Sequence, residues 1–248
     1  MKAAQKLQSY YHLLTCGFRG DTHAGRLDSF YRKQAEHYDE TRQNICPDRQ
    51  AFFDRVASVA DYSGKTWLDV GSGTGAVLDS LSDEQIGEMN QLVLLDITPS
   101  LLEKAREKVR VRGLTNVTVL EDDACAYQLS FKADVVTFCY SLTMMPNWWR
   151  AVERAKAHLQ NDGIFAITDF YVSPKVAPES RMQHGWFTRE ILPVIFATDH
   201  VHLSADHLPY IRDQFDAVEY CYEGLHGLSG LGFIKRPYYQ LIVRPKTL

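Results

Sequence analysis

The chain has 248 residues, with 27 Lys plus Arg against 31 Asp plus Glu, a formal net charge of −4. Hydrophobic residues make up 45%, charged residues 23% and aromatics 12%, which excludes a disordered chain, a collagen-like repeat and a coiled coil. The slightly acidic balance argues against a nucleic-acid partner. No stretch approaches the roughly 20 apolar residues of a membrane span, and the N-terminus lacks the apolar core of a signal peptide. The five cysteines (Cys16, Cys46, Cys125, Cys139, Cys221) form no C-x-x-C pair, so a reducing, cytoplasmic setting is expected. A peripheral place at a membrane surface stays open.

The first part of the chain reads as helical. Leu7, Tyr10, Tyr11, Leu14 and Phe18 recur at three- and four-residue steps, and a second stripe runs through Leu27, Phe30, Tyr31, Ala35 and Tyr38. A third helix is expected from Pro47 through Phe52, Phe53, Val56 and Ala60, ended by Gly64. From Lys65 the pattern becomes alternating strand and helix. Strands are expected at 66–70, 91–97, 116–120, 133–139 and 164–170. Helices carry Leu101, Leu102, Ala105 and Val109, and then Trp148, Val152, Ala155 and Leu159, with Asn161-Asp162-Gly163 turning the chain into the fifth strand. This alternation predicts a parallel sheet with right-handed crossovers. Residues 172–198 break the rhythm and read as an insertion or lid. A helix over 204–215 and two strands, 217–222 and 238–243, close the chain; a glycine-rich link (Gly224, Gly227, Gly230, Gly232) makes the two strands antiparallel neighbours.

The fold class is therefore α/β, Rossmann-like, a mostly parallel seven-stranded sheet with an antiparallel C-terminal hairpin. It forms one domain: a helical N-terminal cap (1–62), a cofactor-binding core (63–172), an insertion or lid (173–203) and a C-terminal helix and hairpin (204–248).

Leu68 to Gly75 is the most informative segment. A strand ends, Gly71, Gly73 and Gly75 follow at alternate positions, and a helix begins. Glycine permits a sharp turn and close approach of a ligand, and N–H groups at a helix start face that ligand. Taken alone the pattern also fits a dinucleotide fingerprint. Asp96 closes the second strand, where a carboxylate accepts ribose hydroxyls. Asp123-Ala124 follows the third strand, placed to accept an adenine amino group; Asp123 is preferred to Asp122 because it directly precedes Ala124.

Leu68-Asp69-Val70-Gly71-Ser72-Gly73-Thr74-Gly75, the Asp123-Ala124 step and the closing hairpin resemble class I S-adenosylmethionine-dependent methyltransferases. The resemblance implies S-adenosylmethionine as cofactor, held through Asp69, Gly71, Gly73, Gly75, Asp96, Asp123 and Ala124, with Tyr31 and Tyr38 folding over it as a lid.

A narrower likeness rests on segments outside the cofactor motifs: Arg26-Leu27-Asp28-Ser29-Phe30-Tyr31, Gln34 to Arg42, Thr137 to Pro146, Asp169-Phe170-Tyr171-Val172-Ser173 and Phe196-Ala197-Thr198-Asp199. These resemble the methyltransferase component of betaine-lipid synthesis. The likeness implies N-methylation of diacylglyceryl homoserine to a trimethylated headgroup, a lipid substrate met at the membrane surface, and a separate 3-amino-3-carboxypropyl transferase. A methyltransferase of a soluble metabolite or quinone, and a non-catalytic binding protein of the same fold, remain as alternatives.

Methyl transfer needs a lone pair aligned within roughly 3–3.5 Å of the methyl carbon, and it needs no metal. Catalytic candidates lie after the fourth and fifth strands and on the N-terminal helices: Tyr140, Asp169, Tyr171 and Tyr38. Arg42 is either a carboxylate partner or a solvated helix-end arginine. His200 and His202, placed on one strand face, lack zinc spacing and read as surface histidines. Met144-Met145-Pro146 with Trp148-Trp149 reads either as a lipid-facing rim or as helix packing. Lys2, Lys6 and Arg19 around the first helix, and Trp186 and Phe187 with Lys175, Arg181 and Arg189, are candidates for membrane contact.

Overall fold

The computed structural model describes residues 21–32, 45–215, 217–228 and 231–245. The first apolar stripe, with Lys2, Lys6 and Arg19, lies outside the described residues, as do Tyr38 and Arg42.

The elements run α1 (His23–Arg32), α2 (Arg49–Ala60), β1 (Thr66–Val70), α3 (Ala76–Ser80), α4 (Asp83–Glu88), β2 (Gln91–Asp96), α5 (Pro99–Arg112), β3 (Val117–Glu121), β4 (Ala133–Cys139), α6 (Trp148–Ala157), β5 (Leu159–Phe170), α7 (Leu192–Ala197), α8 (His207–Gln214), β6 (Ala217–Leu228) and β7 (Leu231–Arg244). A 3₁₀ turn at Leu142–Met144 and a π-helical turn at Phe187–Ile191 complete the described set.

The seven strands form one sheet in the order β3-β2-β1-β4-β5-β7-β6. Five pair in parallel, and β7 runs antiparallel to both β5 and β6. The chain winds outward from β1 to β3, then returns to place β4 on the other side of β1. Val70 therefore sits between Leu95 and Phe138. This reversal opens a crevice at the carboxyl ends of β1 and β4, where open α/β sheets bind ligands.

Side chains on the strands alternate between two cores. Leu68, Val70, Val136, Phe138, Phe165 and Ile167 pack with Ala151, Val152 and Ala155 of α6 and Leu208 and Ile211 of α8. Trp67, Leu94, Val135 and Ile164 face the other way, against Phe52, Phe53 and Val56 of α2 and Ala105 of α5. The sheet is thus buried on both faces, which is why β1, β2 and β4 read as nearly unbroken apolar runs.

Several features differ from the sequence expectation. The third helix begins at Arg49, because Asp48 takes a left-handed conformation (φ 54°) in the turn after Pro47. Leu159 belongs to β5: it pairs with Ala133, and Ile164 pairs with Val135, so Asn161-Asp162-Gly163 is a bulge within the strand. Gly224 and Gly227 pair with Tyr238 and Lys235 inside a long hairpin, so the glycine-rich link is largely strand. His200 lies beyond α7 with φ 56°, on no strand, so it shares no strand face with His202.

Candidate cofactor and acceptor site

The loop after β1 needs its glycines. Gly71, Gly73 and Gly75 have φ of 70°, 56° and 77°, a region that side chains disfavour. At Gly71 space forbids a side chain as well: a Cβ would lie 2.4 Å from Ser141 Cβ. The Gly71 and Ser72 N–H groups donate to Leu95 O at 2.7 and 3.0 Å, tying the loop to β2. Gly75 caps α3, which has only five residues.

Asp96 holds this loop in place. Its Oδ2 accepts the Gly73 N–H at 2.8 Å, and its Oδ1 accepts the Thr98 N–H at 2.8 Å. Each carboxylate oxygen keeps a further lone pair for a ligand. Burial raises the Asp96 pKa above the usual carboxylate value.

The loop, the end of β2 and the turns after β3 and β4 enclose a cleft with about 840 Å³ of atom-free space, open at its mouth. Gly71, Gly73, Asp96, Asp123, Ala124, Tyr31 and Tyr140, all expected from the sequence, line it together. Tyr31 is brought there by α1, whose Leu27 and Tyr31 pack on Leu101, and whose Asp28 accepts the Ser100 N–H at 3.1 Å. Asp123 Oδ1 accepts the Cys125 N–H at 2.8 Å, which shapes the turn after β3.

Other expected residues lie behind or beside the cleft. Asp69 is 1% exposed and accepts the Thr137 hydroxyl at 2.6 Å, and that hydroxyl accepts the Trp67 indole N–H at 2.9 Å. It anchors β1 to β4 and does not line the cleft. Asp169 is fully buried. Its Oδ1 accepts the Thr143 hydroxyl and the Phe170 N–H, each at 2.8 Å, and its Oδ2 accepts the Thr143 N–H at 3.1 Å. It therefore positions the turn after β4 and does not line the cleft. Tyr171 points to a different cavity, where its hydroxyl donates to Glu223 at 2.5 Å. Its expected place beside a methyl acceptor is corrected: one residue beyond β5, Tyr171 joins the core cluster with Leu208 and Ile211 of α8 and does not line the cleft.

Tyr140 lines the cleft, with its ring 4.8 Å from that of Phe170. Its hydroxyl donates to Pro47 O at 2.7 Å, and burial drives its pKa far up. Both facts oppose a role as proton acceptor. Its backbone is left-handed, with φ 54°.

Sequence reasoning missed part of the wall. Thr98, Leu101, Cys125 and Asn147 also line the cleft. Trp148 packs against the core, whereas Met144, Met145 and Pro146 also line the cleft. The signal was their position directly after β4, on the switch-point side of the sheet.

Residues 61–216 match the family described as "Methyltransferase domain". The chain belongs to it. With the sheet order and the glycine cradle, this makes the protein a class I S-adenosylmethionine-dependent methyltransferase. The methyltransferase is 28% identical over 148 residues to aklanonic acid methyltransferase DauC of Streptomyces sp. (strain C5), covering 57% of this chain and 67% of that protein. It is 30% identical over 134 residues to the ubiquinone/menaquinone biosynthesis C-methyltransferase UbiE of Serratia proteamaculans, covering 53% of this chain and 52% of that protein. The matched region thus spans about half to two thirds of these relatives. Among solved structures, the N-methyltransferase NodS from Bradyrhizobium japonicum WM9, in complex with S-adenosyl-L-homocysteine, shares the fold with a TM-score of 0.62 at 12% identity, over 88% of this chain and 98% of that one.

The site fits S-adenosylmethionine on its own geometry. The cradle is narrow enough that a Cβ at Gly71 would fill it, Asp96 retains acceptor capacity toward the cleft, and the buried Ser72 Oγ has no hydrogen-bond partner among the described residues. No described helix is long and apolar enough to cross a membrane.

Proposed function

We propose that the methyltransferase N-methylates the amine of a glycerolipid headgroup of the diacylglyceryl-homoserine class, yielding a trimethylated betaine. The observation that carries this reading is the character of the cleft wall near Tyr140. Among the described residues there, the Tyr140 hydroxyl is spent on Pro47 O, and Met144, Met145 and Pro146 are apolar. Such a wall suits a nucleophile that needs no strong base, which a neutral amine is. Methylation at carbon would call for a base placed to take a proton from the acceptor.

In this reading Asp96 accepts the ribose hydroxyls, the Asp123-Ala124 step meets the adenine, and Tyr31 covers the cofactor. When bound, S-adenosylmethionine supplies an electrophilic methyl group on a sulfonium. Asp169 and Asp69 hold the turns that set the cleft's shape. Tyr140 packs beside the acceptor nitrogen, and its aromatic ring suits the cationic product.

A lipid substrate also requires contact with a bilayer. The segment after β5 offers it: Trp186 is 65% exposed, Phe187 51%, Val194 67% and Ile195 44%. Aromatics of this kind favour the headgroup region. We infer a cytoplasmic, peripheral enzyme that receives its substrate from a separate 3-amino-3-carboxypropyl transferase.

The test is an assay with S-adenosylmethionine and diacylglyceryl homoserine, read by mass for one, two and three added methyl groups. Transfer to a demethylated quinol instead, with none to the amine lipid, would replace this reading with the quinone one that the UbiE relatives suggest.

A further inference from the structure

A second cavity lies apart from the cofactor cleft, with about 520 Å³ of atom-free space and no lining residue in common with it. Its wall combines buried Tyr171, the chain that leaves β5, Leu208 of α8 and Glu223 of β6. The chain that leaves β5 is pinned at both ends. The Ser173 N–H donates to His184 Nδ1 at 2.8 Å, and the His184 N–H donates to Ser173 Oγ at 2.9 Å. Between them Gln183 Oε1 accepts the Ala177 N–H at 2.9 Å, and Gln183 Nε2 donates to Lys175 O at 3.2 Å. These bonds fix the loop that brings Ala177, Arg181 and Met182 to the cavity.

The charges that line this cavity do not balance. Glu223 accepts the Tyr171 hydroxyl on Oε2 at 2.5 Å and Nε of Arg181 on Oε1. Its charge is thereby matched by Arg181, whose terminal nitrogens make no hydrogen bond among the described residues. Arg212 Nη1 donates to the Cys221 sulfur at 3.7 Å, a weak acceptor, and Arg212 forms no ion pair among the described residues. Two guanidiniums against one carboxylate leave one positive charge unmatched among the lining residues. Burial raises the pKa of the Cys221 thiol and the charges of Arg181 and Arg212 oppose that shift, so both guanidiniums stand near one sulfur.

The rest of the wall is largely apolar, with Ala177, Met182, Ala205 and Leu208. An unmatched guanidinium beside an apolar hollow suits an anion that carries a hydrocarbon chain. The head meets charged N–H donors, and the chain leaves water.

We propose that this cavity binds an amphiphilic anion, a carboxylate or phosphate head on an apolar chain, as a ligand separate from both the cofactor and the methyl acceptor. Arg212 and the terminal nitrogens of Arg181 take the head, Glu223 holds Arg181 in place through Nε, and the chain lies on Ala177, Met182 and Leu208.

The probes are octanoate and octyl phosphate, compared with octanol and inorganic phosphate, by calorimetry on the full chain saturated with S-adenosylhomocysteine. At least one of the two amphiphilic anions is expected to bind roughly ten- to a hundredfold more tightly than octanol, the scale of hydrogen bonds to a charged group. Inorganic phosphate, which lacks the chain, should also bind more weakly. The stronger of octanoate and octyl phosphate tells whether the head is a carboxylate or a phosphate. Arg212→Gln removes an exposed side chain and should fold; it is expected to weaken the anion at least fivefold and to leave octanol and S-adenosylhomocysteine binding unchanged. Arg181→Lys keeps a charge for Glu223, loses the terminal nitrogens and should weaken the anion as well. In nitrogen-labelled protein the Nε–H signals of Arg181 and Arg212 should shift with the anion and not with octanol. Absence of binding by both anions, equal affinity for octanol or inorganic phosphate, undiminished affinity in both arginine variants, or displacement of S-adenosylhomocysteine by the anion each overturns the proposal.

Discussion

The Asp96 carboxylate accepts the backbone N–H of Gly73 at 2.8 Å, joining the end of β2 to the glycine loop after β1. One residue thereby shapes the cradle and faces its ligand. Asp96→Ala is expected to weaken S-adenosylmethionine binding by roughly 1.5–3 kcal/mol, read by calorimetry. Because burial raises the Asp96 pKa, affinity should begin to fall on acidification at a higher pH than an ordinary carboxylate would give. Affinity that holds level down to the range of a free aspartate would refute this role.

Gly71→Ala tests the tightness of the cradle. The new Cβ would stand 2.4 Å from Ser141 Cβ, at a backbone φ of 70°. Strain at such a position costs on the order of 1–3 kcal/mol. A lowered melting temperature and weakened cofactor binding are both expected, and a variant that melts and binds like the wild type would show the loop to be more yielding.

Tyr140→Phe separates packing from proton transfer. Its hydroxyl donates to Pro47 O at 2.7 Å. Losing that bond should lower stability by roughly 1 kcal/mol while kcat stays within a few-fold of the wild type. A drop of a hundredfold or more in kcat, at unchanged cofactor affinity, would make the hydroxyl a participant in the chemistry.

Asp69 gives the protein a pH-dependent stability term. Burial pushes its carboxyl up to about 7 from 3.8. Between those values the folded chain holds a proton that the unfolded chain releases, so this contribution declines as pH rises toward 7 and is flat above it. Asp69→Asn keeps an acceptor for the Thr137 hydroxyl and has no charge to bury. Denaturant titrations should find it more stable than the wild type at pH 8, by an amount on the order of 1–4 kcal/mol, with the gap narrowing as the pH falls toward 4. A gap that is constant with pH would exclude this origin.

The apolar rim can be tested without an acceptor. Trp186 and Phe187 are 65% and 51% exposed, so replacing both with Ala should cost little stability. Co-sedimentation with anionic liposomes should fall several-fold, with cofactor affinity unchanged. Equal sedimentation of variant and wild type would remove this segment from the membrane contact.

Much of this protein was determined by local pattern. Unbroken apolar runs at β1, β2 and β4 can only be strands covered on both sides, and glycines at 71, 73 and 75 answer a backbone that turns left-handed three times. Asp96 and Asp123 were legible because a strand end followed by an acid marks a fixed place in this topology. Tertiary structure decided which of these polar groups face the cleft. Asp69 and Asp96 both belong to strands at the switch point, yet the first is spent on Thr137 across the sheet and the second opens to the cavity. Tyr140 and Tyr171 each follow a strand, and only the packing of neighbouring elements sent Tyr140 to the cleft and Tyr171 to Glu223. Periodicity reports which side of an element is apolar, whereas the satisfaction of each donor depends on residues brought together by the fold.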